Sequence, residues 1–181
     1  MMKISLFILA LLFIYGTPAL SQTNIRIVDF KNFKYRLSCG SADKVSTVTL
    51  RDGQYEGSKG SIDQVYLQIT DVLYGDLDGD RRDEAVVLYS CGSGASYVYI
   101  WGLVFTQKRN KLILITDIEG GNKTDGGFHD VRILKGALIV ERYELGIAGV
   151  GPENIVRTRF KLKGNQVVQV GKQTSRPFQN K

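Results

Sequence analysis

The chain reads as mainly β: a single antiparallel β domain, arranged as a sandwich, an open barrel or a propeller-like meander. Three observations predict this class. Polar and apolar residues alternate with a period of two in most segments, as where Val65, Leu67 and Ile69 interleave with Tyr66, Gln68 and Thr70. Couplets with glycine separate such runs at Arg51-Asp52-Gly53-Gln54, Lys135-Gly136-Ala137 and Lys163-Gly164-Asn165, which is hairpin punctuation. No stretch after residue 24 carries apolar residues at helical spacing, so little or no helix is expected there.

The elements follow in chain order. Residues 1–21 have Lys3, an apolar run from Ile4 to Tyr15, and small residues at Ala19-Leu20-Ser21. That is the pattern of a secretory signal peptide cut before Gln22, and it predicts a secreted or periplasmic protein. The run is short for a bilayer span, and no later segment is apolar for long enough to span a membrane. Residues 22–172 then form one β-rich domain of about eleven or twelve strands. Within it, Tyr66 to Tyr74 is a strand, and Ala85 to Tyr89 is apolar throughout, as suits a central strand covered on both faces. Val156, Thr158, Phe160 and Leu162 alternate with Arg157, Arg159 and Lys161, and Leu112 and Leu114 lie between Lys111 and Asp117 in a further strand. Glycines gathered at 120–127 and 146–151 predict loops, and the polar stretch 173–181 is expected to be a flexible tail.

Composition narrows the partners. Lysine and arginine total 24 against 18 aspartates and glutamates, a net charge of +6. The excess is spread along the chain rather than clustered, which argues against nucleic acid. Cys39 and Cys91 are the only cysteines, so export predicts one disulfide; a reducing compartment would leave two buried thiols. Closing a loop of roughly 50 residues would stabilise the fold by about 4 kcal/mol.

The densest chemistry lies in YGDLDGDRRDEAVVL, residues 74–88. Counting Asp76 as position 1, Asp78 is 3, Asp80 is 5, Arg82 is 7 and Glu84 is 9. Carboxylates at alternate positions, with the Arg82 carbonyl at 7, make an oxygen-rich loop of the kind hard cations select, calcium before magnesium. Softer metals would want histidine or thiolate, which this stretch lacks. It is no EF-hand, because Arg81 and Val87 stand where that loop needs glycine and a bidentate acid. The plainer reading is a solvated turn neutralised by Arg81 and Arg82.

These residues resemble the calcium loop of FG-GAP and VCBS-type repeats, as in integrin α-chain propellers, with the pattern D-x-[DN]-x-D-G-x-x-[DE] before an apolar strand. The resemblance implies calcium bound by Asp76, Asp78, Asp80 and Glu84 with the Arg82 carbonyl. It departs at Arg81, where the family has glycine, and in copy number, since a propeller repeats the unit.

Other stretches carry weaker signals. Tyr97, Tyr99, Trp101 and Phe105 share one face of YVYIWGLVF; they are either core aromatics or a platform for sugar rings. His129, the one histidine, stands beside Asp130 and near Asp125, which admits an acid–base pair. No nucleophile motif accompanies it, and no spacing selects Glu141 and Glu144 as a glycosidase pair. Arg157, Arg159 and Lys161, joined by Lys34 and Arg36, make a basic face, either solvated or docking an anionic partner. The expectation is a calcium-stabilised, non-catalytic module that binds an unknown protein or glycan; the alternative is a secreted hydrolase built on His129 and nearby carboxylates.

Overall fold

The computed structural model describes residues 24–38, 45–57, 65–93, 98–121, 124, 126–146 and 151–179. Residues 1–21, the expected signal peptide, and Cys39, Tyr97 and Asp125 lie outside them. The described chain is mainly β, as expected, with two 3₁₀ turns, Ile25–Ile27 and Phe30–Asn32, ahead of the first strand. Asn24 and Asp29 cap these turns by accepting backbone N–H bonds with their side chains.

The described residues form twelve strands, stacked in three layers. The first layer is a hairpin of β1 (Lys34–Ser38) and β2 (Val45–Thr49), together with the 3₁₀ turns. The middle layer is a five-stranded antiparallel meander: β3 (Gln54–Glu56), β4 (Val65–Gly75), β5 (Glu84–Ser93), β6 (Tyr99–Lys108) and β7 (Lys111–Gly121). The third is β8 (Phe128–Ile133), β9 (Leu138–Leu145), β10 (Pro152–Lys163), β11 (Gln166–Gln169) and β12 (Thr174–Pro177). In that sheet β11 and β12 share one edge of β10, one pairing with its second half and the other with its first. Neither five-stranded sheet closes on itself, so the arrangement is sandwich-like rather than a barrel.

β5 explains the layering. Ala85, Val87, Tyr89 and Cys91 face the first layer, sharing a core with its Phe30, Tyr35 and Leu50 and with Phe105 of the neighbouring β6. Val86 and Leu88 face the third layer, meeting Val104, Leu138, Val140 and Leu162. Side chains alternate along a strand, so a strand apolar at every position needs a cover on each face. Each fully buried aliphatic side chain contributes roughly 2 kcal/mol.

The anticipated turns at Lys135-Gly136 and Lys163-Gly164 join β8 to β9 and β10 to β11. Asp52-Gly53 also turns, with Arg51 bridging Gln54, but β3 goes on to pair with β4 rather than β2. Two expectations need correction. Gly120 and Gly121 belong to β7 rather than to a loop: a Cβ on Gly120 would lie 1.8 Å from the Ile100 carbonyl oxygen, so glycine here permits a close approach at a bulge. Residues 173–179 are no loose tail, because Thr174–Pro177 pairs with Asn154–Arg157 and the Phe178 N–H donates to the Glu153 carbonyl at 2.7 Å. Their polar side chains conceal a strand held by its backbone ladder.

Candidate metal centre

The acidic stretch is the connection between β4 and β5, closed at its base by the pairing of Gly75 with Glu84. Its aspartates wind it. Asp76 accepts from the N–H of Gly79 at 2.6 Å with Oδ1 and from that of Arg81 at 3.0 Å with Oδ2. Asp78 accepts from the Asp80 N–H at 2.9 Å, and Asp80 from the Arg82 N–H at 2.9 Å. Such local bonds are why aspartate suits tight turns. Gly79 takes φ +89, and Arg81 is left-handed at φ 67, so the position where the FG-GAP pattern has glycine does need positive φ.

The loop is also wedged between two sheets. Leu77 is buried in the core between the middle and third layers, and its carbonyl accepts the Leu162 N–H of β10 at 3.0 Å. Its own N–H donates to Glu84 Oε2 at 2.8 Å, while the Thr106 hydroxyl donates to Oε1 at 3.1 Å. Glu84 is only 1 % exposed. Burial pushes its carboxyl above the usual glutamate range; the Asp78 and Asp80 charges act the same way, against the Leu77 N–H and the Thr106 hydroxyl.

The fold sorts the five carboxylates of this stretch. Asp83 accepts from Arg26 Nε at 2.6 Å, and that guanidinium sits 5.0 Å from the Tyr74 ring centroid. Asp80 is taken by the Arg82 side chain, which holds its carboxyl below the usual range. Asp76, Asp78 and Glu84 remain, each offering one oxygen within 4.8 Å of the others. Among the described residues no lysine or arginine forms an ion pair with these three. Of the residues expected in the site, then, the structure gathers Asp76, Asp78 and Glu84, and it turns Asp80 and Arg82 towards each other. Three carboxylate oxygens with no imidazole or thiolate form a hard-cation donor set.

The other candidates fall elsewhere. Trp101 and Phe105 pack on the first core, and Tyr99 is half-buried. His129 is exposed and meets Tyr143 and Phe178 edge-on, with ring centroids 5.1 and 6.3 Å away. Ile133 of the same strand packs at Gly75, beside the acidic loop; four residues further along, His129 is about 13 Å away by strand rise. Asp130 pairs with Arg132, so among the described residues no carboxylate bonds to His129. Lys34 and Arg36 do not join the arginines of β10: they lie in the first layer, and β10 lies in the third.

One cluster was not anticipated. Glu141 of β9 is buried beneath three arginines from three other strands. Arg157 reaches its Oε1 at 2.6 Å and Arg132 the same oxygen at 3.2 Å, while Arg176 reaches Oε2 at 3.1 Å. Burial works against the charge, but the three guanidiniums outweigh it and hold the carboxyl at about 2. Such a group stays ionised at neutral pH, so Glu141 is no proton donor for glycoside cleavage. An acid following Leu138-Ile139-Val140 was the available signal.

Searches of protein-family models, curated proteins and solved structures find no match to the chain.

Proposed function

We propose that the chain is an exported, non-catalytic β-rich binding module whose acidic loop takes one calcium ion as a structural clip. One observation carries the calcium reading. The chain supplies cations for Asp80 and Asp83 but leaves Asp76, Asp78 and the buried Glu84 together within 4.8 Å. Three adjacent carboxylates repel one another, and a divalent cation removes that repulsion where a solvated turn would have to bear it. Calcium suits the loop better than magnesium, because its flexible coordination admits carbonyls and waters for the remaining positions. The structural role rests on the loop's tie to β10: the Leu77 carbonyl accepts the Leu162 N–H, and Leu77 is buried in the core between the two sheets. Export, read from residues 1–21, goes with a Cys39–Cys91 disulfide, and Cys91 is not a free thiol.

Calorimetry with calcium on the chelator-stripped protein, with thermal unfolding alongside, tests the calcium reading. Saturable heat is expected, with a stabilisation of about 2.7 kcal/mol at a hundredfold excess over Kd. Both should vanish in Asp78→Ala. Neither heat nor a melting shift in the parent chain would make the stretch a plain acidic turn.

A further inference from the structure

The outer face of the third layer carries a different charge pattern. Along β10, Phe160 and Leu162 point into the core, so the alternate residues Arg157, Arg159, Lys161 and Lys163 point outward. They stand about 7 Å apart in a row about 20 Å long. Arg132 and Arg176 flank it, Arg132 in register with Ile139 beside Arg159, and Arg176 opposite Ile155. Against these six cations the face sets Asp130 and Glu141, both already engaged by arginine. Arg159, Lys161 and Lys163 are exposed and form no ion pair among the described residues. At the Arg157 end, Tyr143 stands opposite Ile155 and gathers His129 and Phe178 into an aromatic cluster.

We propose that this face binds an acidic polysaccharide, its carboxylates on the β10 cations and a sugar ring on the aromatic cluster. The proposal rests on the binding-module reading and names the ligand class. Charge complementarity selects a polyanion, and guanidinium forks match carboxylates in two-point geometry. Topology decides among polyanions. Both edges of β10 are already paired, by β9 on one side and by β11 and β12 on the other. An acidic peptide therefore finds no free backbone to extend along this row, and recognition must come from side chains alone. A single-stranded nucleic acid would need stacking platforms along the row, but among the described residues the aromatics of this face sit at one end.

The test is fluorescence anisotropy of a labelled oligogalacturonate titrated with the full chain in EDTA. The chelator separates this question from the calcium one: failure here leaves the loop reading intact, and a calcium-inert loop leaves this face intact. Saturable binding is expected, weakened about tenfold by Arg159→Gln with Lys161→Gln and about fivefold by Phe178→Ala. Melting temperatures of the variants check that they fold, and Lys161→Gln alone, at an exposed position, gives a variant that keeps the fold. Absence of binding would overturn the proposal. So would equal affinity for polyglutamate or a thymidine oligonucleotide, since charge alone would then explain it, and so would binding to neutral dextran.

Discussion

Glu84 and Glu141 are the buried carboxylates of the described chain, 1 % and 3 % exposed, and each lies on a strand of a five-stranded sheet. Their surroundings are opposite. Glu141 has three guanidiniums within 3.2 Å, whereas Glu84 has a backbone N–H, a hydroxyl and two further carboxylates. Burial penalises both charges, yet one carboxyl is held at about 2 and the other is pushed above the usual range. The contrast separates a charge that the chain neutralises with its own arginines from one that, on the proposed reading, an external cation would neutralise. Glu141 is balanced within the chain, and Glu84 is not.

The largest effect should come from Glu141→Gln. Removing the carboxylate leaves Arg132, Arg157 and Arg176 facing one another over a buried position, at a cost of about 3 kcal/mol. For a domain of this size the melting temperature should fall by about 10 °C. The pH dependence sharpens the point. A folded value near 2, below the ordinary glutamate value, gives stability that is complete above about pH 4.5 and is lost as pH falls towards 2. The parent chain should lose about 3 kcal/mol more than the variant across that window. Equal acid profiles for the two would break the comparison.

Glu84→Gln should do the reverse on a smaller scale. The raised carboxyl costs stability above its folded pKa, and that cost is relieved as pH falls through it towards the ordinary value. In chelator at neutral pH, glutamine should therefore be neutral or stabilising by up to about 1 kcal/mol, since its oxygen can accept from the Leu77 N–H while its amide N–H donates to the Thr106 hydroxyl oxygen. With calcium added, the parent should gain stability and the variant should not. A loss of several kcal/mol in chelator would show that the negative charge is itself a structural element, as at Glu141.

The two sites differed as much in legibility as in chemistry. The acidic loop is local: alternate carboxylates over nine residues, followed by an apolar strand, can be read without knowing the fold. What could not be read was the sorting, because Asp83 is taken by Arg26 from a distant turn. The Glu141 cluster is non-local throughout. Arg132, Arg157 and Arg176 converge only because β8, β10 and β12 assemble around β9 in one register. The layering was visible in Ala85 to Tyr89, since two-sided burial leaves a continuous apolar run. β12 was invisible, since an edge strand whose residues are all exposed needs no alternation.

The smallest effect probes the loop backbone. Arg81 holds φ 67, where a side chain is strained, and its N–H must point at Asp76 Oδ2. Arg81→Gly removes about 1 kcal/mol of strain and returns part of it as extra freedom in the unfolded chain. The chelator-stripped melting temperature should therefore move by about 2 °C or less. Calcium affinity should still rise by a fewfold, because glycine also removes a cation flanking Asp80, next to the triad. Arg81→Gln separates the causes: it keeps the strain and removes only the charge. If Gln raises affinity as much as Gly, the charge sets the loop's affinity. If only Gly does, the backbone sets it. If neither changes calcium binding, Arg81 plays no part in the site, and the contrast with Glu141 rests on Asp76, Asp78 and Glu84 alone.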